Sequence, residues 1–264
     1  MTQPEVPTKL PTELHFESSR RLLGTVYPDY ASASKETIQT IRSNLPEVSK
    51  FDAFNKRLKI SCGLDIRFSD GLNIKQEDTR ACYLLMLRVS DLWFAFEHLT
   101  KLSKARIPHD ASRAGSVDLY SATSIQSNGL APIVANFNNL MAENVRKKPA
   151  WRTEVYRVVA YLGNNTERQT QAVVREIDKK VGDGLDLEAK HLFAIAYAVR
   201  NVYVHKGVTA ALGAKNYGLK RRLYETVFDS LVLSAFALSL AYCRKYLSTK
   251  AATAAPPGRP IEVT

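Results

Sequence analysis

Between Ser230 and Cys243 the chain carries no charged residue. This stretch sits inside a longer segment, 215–247, that reads as one continuous helix. A helix without a polar face must be wrapped on all sides. The uncharged stretch is shorter than the roughly 20 residues a bilayer requires. It therefore reads as a buried core helix, and the remaining sequence has to supply the helices that enclose it.

The sequence does supply them. Amphipathic spacing predicts short helices over 13–24 and 32–45, the second closed by Pro46. Asn73 and Gln76 stand at capping-box spacing, and Tyr83, Leu84, Leu87, Leu92, Phe96 and Leu99 carry a helix to about 104, before Pro108. Further helices are predicted over 129–146, 150–162 and 166–181, the last opened by Thr166 and Gln169 at the same spacing. Asp183-Gly184 breaks the chain before a helix over 186–205 that ends at Gly207. Residues 107–128 are rich in Ser, Ala, Gly and Asp and read as a long loop with a weak strand at 117–120.

One segment reads differently. Leu58, Ile60, Cys62, Leu64, Ile66 and Phe68 alternate with polar or small residues, the pattern of a half-buried strand or of a hairpin bent at Gly63. An extended arm laid over a helical core is the alternative. The expected fold is all-α: an antiparallel helical bundle over 71–248, preceded by an extension over 1–70 that holds the strand or hairpin. Residues 1–12 read as a mobile lead-in and 249–264 as a disordered tail.

Composition narrows the function classes. The 264 residues are 45% hydrophobic and 24% charged, ordinary for a globular protein. The net charge of +11 and pI near 9.5 favour a polyanionic partner. Cys62, Cys82 and Cys243 are odd in number and form no CxxC pair, which argues against a zinc site or a disulfide framework and fits a reducing cytoplasm. The N-terminal sequence has no apolar h-region, so a cytoplasmic location is expected. His15, His98, His109 and His191 have no partner at metal spacing, so neither a metal nor a cofactor is expected. No Gly-rich phosphate loop, GxSxG elbow or HExxH motif supports an ATPase, α/β-hydrolase or zinc-protease reading.

The chemistry-bearing segment is Arg200-Asn201-Val202-Tyr203-Val204-His205. On a helical wheel Leu192, Ile195, Val199 and Val202 form an apolar stripe, and Asn201 and His205 stack four apart on its flank. Arg200 lies further round but can swing in. A fixed cation beside an imidazole is what phosphodiester cleavage without a metal requires. The same residues also suit an ordinary helix end, where cations and a following Gly satisfy the last carbonyls. Asp91 and Glu97 on the 73–104 helix read as a solvated face, with projection toward a cleft at this motif as the alternative.

The Arg-Asn-x-x-x-His spacing, at the end of a long helix followed by a second apolar helix, resembles the HEPN (higher eukaryotes and prokaryotes nucleotide-binding) superfamily of helical ribonucleases. The resemblance covers 186–247 and extends to 73–104, with none over 1–70. It implies a homodimer with two Arg-x4-His motifs facing one cleft, where the RNA 2′-hydroxyl attacks the adjacent phosphate without a metal. His205 would then be general acid or base, Arg200 would hold the phosphate, and Asn201 would orient the imidazole or the substrate. A role in stress response or antiviral defence and a regulatory or neutralising protein partner follow from the same resemblance. One toxin branch carries a Tyr two residues after the His; this chain has Gly207 there.

Two basic clusters extend the expectation. Arg146, Lys147, Lys148 and Arg152 surround Trp151, joining cations to a ring suited to stacking bases. Lys206, Lys215, Lys220, Arg221 and Arg222 follow the motif closely and would line an approach path for RNA. A catalytically silent helical module that binds RNA or a partner protein is the competing expectation.

Overall fold

The computed structural model describes residues 14–41, 45–66, 77–103, 105–106, 117–118, 129–147, 149–166, 168–184, 186–206 and 215–254. Eight α-helices occur among them: α1 (Glu17–Ile41), α2 (Leu45–Gly63), α3 (Glu77–Ser103), α4 (Ala131–Lys147), α5 (Pro149–Asn164), α6 (Arg168–Asp183), α7 (Ala189–Lys206) and α8 (Tyr217–Ala254). A two-residue parallel pair, β1 (Ala105–Arg106) with β2 (Val117–Asp118), follows α3; β2 falls where the weak strand was expected and β1 was not expected. The all-α bundle expected from the sequence is the fold.

Helix α8 is its axis. Every residue from Thr226 to Leu240 is buried, and α1, α3, α4, α5 and α7 all pack on it. By length and composition α8 could cross a bilayer, but its apolar stretch is enclosed by the bundle. Its buried hydroxyls are partly satisfied within the helix: Ser234 Oγ donates to the Ser230 carbonyl at 2.7 Å and Thr226 Oγ1 to the Arg222 carbonyl at 2.9 Å. At its start Asn216 Oδ1 accepts from the Leu219 N–H at 3.1 Å, an N-cap bond.

Helix α1 corrects the sequence reading. Two short helices were expected, yet one helix runs through Pro28. Pro28 gives up the bond to the Gly24 carbonyl and ordinarily breaks a helix. Here Leu23, Tyr27, Tyr30, Ser34, Thr37 and Ile41 are buried along one face. Tyr27 and Tyr30 meet Phe236 of α8 edge-on, with centroids 5.4 and 4.9 Å apart. Burying rings of this size stabilises by roughly 1.5–3 kcal/mol each, enough to outweigh one lost hydrogen bond. Pro46 does not close α1; it is the second residue of α2, where its fixed φ suits a helix start.

The predicted strand is likewise helix, through Gly63. Phe51, Phe54, Leu58, Ser61 and Cys62 are buried at intervals of three and four and face α3, while Ile60 is 46% exposed. Leu58 and Cys62 fit both a period of two and a spacing of four, so the alternation mimicked a strand; Ile60 separates the readings. Leu64 to Ile66 continue without regular structure, and Phe68 lies outside the described residues. Helices α1 and α2 share one continuous core with the rest of the bundle, so the N-terminal region is integral to it.

Polar links fix the packing. Asp229 of α8, fully buried, accepts from the backbone N–H of His15 (2.9 Å to Oδ2) and of Phe16 (3.0 Å), and its Oδ1 is 2.7 Å from His15 Nδ1. It caps the entry of α1 from across the molecule. On α2, Ser61 Oγ donates to the Arg88 carbonyl at 2.7 Å and Arg88 Nε donates to the Leu64 carbonyl at 2.9 Å, anchoring the C-terminal end of α2 on α3.

Two expected caps differ. Thr166 Oγ1 is buried without a hydrogen-bond partner among the described residues, so it does not open α6. Helix α8 reaches Ala254, beyond the expected start of the tail at 249. Gly184, with φ of 109°, follows α6 in the left-handed region, as the Asp183-Gly184 break predicts. The lead-in at 1–12, the Asn73–Gln76 cap, most of 107–128 and Gly207 lie outside the described residues.

Candidate active site at the end of α7

Helix α7 starts at a cap that sequence reasoning did not find. The Glu188 N–H donates to His191 Nδ1 at 2.8 Å while the Glu188 carbonyl accepts from the His191 N–H at 3.0 Å. His191 therefore takes the place that Glu or Gln takes in a capping box. Its ring is fully buried, which lowers its pKa, and Nε2 reaches Glu176 Oε2 at 3.3 Å. From His191 to Val199 every α7 residue is buried, including the predicted stripe of Leu192, Ile195 and Val199, with Val202 one turn on. Past this buried stretch the C-terminal end of α7 reaches solvent again, and the motif lies there.

The three motif side chains meet through the guanidinium. Arg200 Nη1 donates to Asn201 Oδ1 at 2.8 Å and is 2.6 Å from His205 Nε2. Asn201 is buried, Arg200 half-buried and His205 exposed, so the group runs from the core edge to the surface. Arg200 is thus the hub. Asn201 was expected to orient the imidazole or the substrate; among the described residues its carbonyl oxygen holds the guanidinium.

Helix α3 completes the surroundings. The Arg200 guanidinium carbon lies 5.3 Å from the Phe94 ring centroid, a cation–π contact. Arg57 of α2 approaches the same ring at 5.6 Å and pairs with Asp91 at 2.9 Å. Asp91 was read as a solvated face and is instead part of this cluster. Arg200 Nε is buried with no hydrogen-bond partner among the described residues. Phe94 and Arg57 have no local sequence signal; one turn separates Asp91 from Phe94, but the partner across helices cannot be read from spacing.

The expected RNA-contacting cations fare unevenly. Lys220 is 2% exposed, with its ammonium 5.4 Å from the Tyr224 ring, and burial pulls its pKa down to about 8. It is an interior group and cannot line a surface path. Trp151 is buried as well, so it offers no face for a base. Arg221 is held by Glu225 at 2.8 Å, Asp78 at 3.2 Å and Glu77 at 3.4 Å, and Glu225 first, then Asp78, raise its pKa, so its charge is already paired. Arg222 is partly buried over the Phe16 ring at 5.3 Å.

Arg152 and the side chain of Lys215 are exposed. The Lys215 and Asn216 N–H groups both donate to the buried Glu154 Oε1, at 2.7 and 3.1 Å. The side chains of Arg146, Lys147 and Lys206, and all of Lys148, lie outside the described residues.

Cys62, Cys82 and Cys243 are free and buried, and burial pushes their thiols up to about 12, 12 and 11. None is a nucleophile. Among the described residues no three His, Cys, Asp or Glu side chains come together as a metal site. No family model, curated protein or solved structure matches the chain, so the reading of this site rests on its geometry.

Proposed function

We propose that the protein is a metal-independent endoribonuclease acting as a homodimer, with Arg200, Asn201 and His205 of each copy facing one cleft. The observation that carries this reading is the bridge from Arg200 Nη1 to both Asn201 Oδ1 and His205 Nε2 at a partly exposed helix end. It sets side by side a guanidinium, a group suited to binding phosphate, and an imidazole, a group suited to proton transfer. Membership of the HEPN superfamily, with a role in stress response or antiviral defence and a neutralising partner, belongs to the same proposal.

The chemistry follows from the donors. A guanidinium only donates, so His205 Nε2 accepts and the ring proton sits on Nδ1. The imidazole is then neutral, with its lone pair covered by Arg200. A phosphate is the stronger acceptor and draws the guanidinium to itself, which frees Nε2. One His205 takes the proton from the 2′-hydroxyl as that oxygen attacks phosphorus. The partner's His205, protonated, delivers a proton to the 5′-oxygen as the P–O5′ bond breaks. The products are a 2′,3′-cyclic phosphate and a 5′-hydroxyl. Arg200 stabilises the charge that builds on the phosphoryl oxygens.

The test is incubation with RNA in EDTA, beside His205→Ala and Arg200→Ala. Wild-type cleavage to cyclic-phosphate ends is expected, with losses on the order of 10²–10³ in each variant. Absence of cleavage by the wild type, or its survival in both variants, rejects the reading. The burial of Asn201 and the enclosure of Arg200 Nε favour a second reading, a silent module that binds RNA or a protein. Salt-sensitive RNA binding without cleavage would select it.

A further inference from the structure

We infer that Arg57 is a second phosphate-binding side chain of this site, so that the site grips two phosphates of one nucleic-acid strand. The inference rests on the nucleic-acid reading of Arg200 and extends it to α2.

Arg57 and Arg200 come from helices far apart in sequence, yet both guanidinium groups lie over Phe94, at 5.6 and 5.3 Å from its centroid. Their carbons therefore lie within about 11 Å of each other, the combined reach of two ring contacts. That span covers neighbouring phosphates of a single strand.

Charge argues the same way. The partners of Arg200 are neutral, Asn201 Oδ1 and His205 Nε2. Among the described residues Asp91 is the one carboxylate paired in the cluster, and it engages Arg57 through Nη1. Two cations against one anion leave a net positive charge over a single ring. Arg57 is 45% exposed, and Asp91 uses one of its five N–H donors. The remaining donors form a fork that fits a phosphate. Asp91 then acts as a competitor that holds Arg57 in place until the strand arrives.

The experiment uses the full chain and a fluorescent oligo(dT) hexamer, which has phosphates but no 2′-hydroxyl. Binding is measured by anisotropy between about 50 and 200 mM salt, the range over which phosphate contacts reveal themselves. Arg57→Gln is expected to lower the slope of log affinity against log salt by about 0.7, one single-strand phosphate contact. Arg57→Gln with Arg200→Gln should lower it by about 1.4, two such contacts. Arg57→Lys should keep the slope, and Asp91→Asn should tighten binding severalfold.

An unchanged slope in Arg57→Gln overturns the inference, as does a double variant no different from Arg200→Gln alone. Absence of hexamer binding by the wild type also overturns it. The nuclease reading fails separately. Slopes as expected without RNA cleavage leave the two-phosphate grip standing; cleavage with an unmoved slope does the reverse.

Discussion

The guanidinium of Arg200 stands 2.6 Å from His205 Nε2, five residues along the same helix. Residues five apart do not face each other on an ideal α-helix. The contact exists because Arg200 is long and because Asn201 and Phe94 steer it. Asn201 Oδ1 accepts from the same Nη1 at 2.8 Å, and the Phe94 ring lies beneath the guanidinium. The geometry of the pair is set by the neighbours of Arg200.

Asn201 is therefore expected to act through Arg200. Asn201→Leu keeps the volume but removes the acceptor, and the guanidinium loses its fixed orientation. A small misplacement of a catalytic group costs on the order of 10²-fold. The expected outcome is a fall of that size in kcat with little change in KM, and an unfolding midpoint within a few degrees of wild type. A change in KM alone would mean that Asn201 meets the substrate directly.

Val204, beside His205, is 43% exposed, an apolar side chain at the solvent-facing C-terminal end of α7. If two motifs face each other, this residue lies at or next to the seam. Val204→Asp places a charge there and should shift the protein toward monomer in light scattering. Cleavage should fall with it and recover partly as protein concentration rises. An unchanged oligomeric state with full activity would put the interface elsewhere.

What was legible in the sequence followed from period and packing. The helix over 73–104 was clear because Leu92, Phe96 and Leu99 recur at helical spacing, and all three are buried. The break expected between 24 and 32 is absent because Tyr27 and Tyr30, which lie in that gap, are held by Phe236, far along the chain. The segment around Ile60 misled because four residues is a multiple of two. Within the site, Arg200, Asn201 and His205 were visible as neighbours on one helix. Arg57 and Phe94 were not, and the pairing of Arg57 with Asp91 could not be read, because a contact across 34 residues has no spacing signature. Lys220 was taken for a surface cation because composition does not distinguish a solvated lysine from one folded against Tyr224.

Asp229 should be among the most sensitive positions for stability. It is fully buried and binds two backbone N–H groups and the ring of His15 at the entry of α1. Asp229→Ala strips all of these partners at once and should cost about 3–5 kcal/mol in urea unfolding, the range for breaking a buried hydrogen-bonded charge. Asp229→Asn keeps an acceptor and should cost less. Equal losses would mean that the negative charge, and not the hydrogen bonds, secures α1.

Lys220 makes the opposite prediction. Burial lowers its pKa to about 8 from an ordinary 10.5. At neutral pH the folded protein therefore carries a desolvated ammonium, a penalty of about 3 kcal/mol at 1.36 kcal/mol per pKa unit. Below pH 8 both folded and unfolded chains hold the proton and the penalty is complete. Between about 8 and 10.5 the unfolded chain binds more protons, so this group's contribution to stability rises with pH. Above that window the penalty is gone. Lys220→Met removes it at every pH and should raise the stability of the protein at pH 7. The buried thiols titrate in the opposite sense, since Cys82 is pushed up to about 12 and favours the unfolded chain at alkaline pH. Only the difference between wild type and Lys220→Met isolates the lysine. That difference, from urea unfolding at pH 7 and pH 10, should shrink toward zero at the higher pH. A constant difference would assign the effect of the substitution to packing against Tyr224.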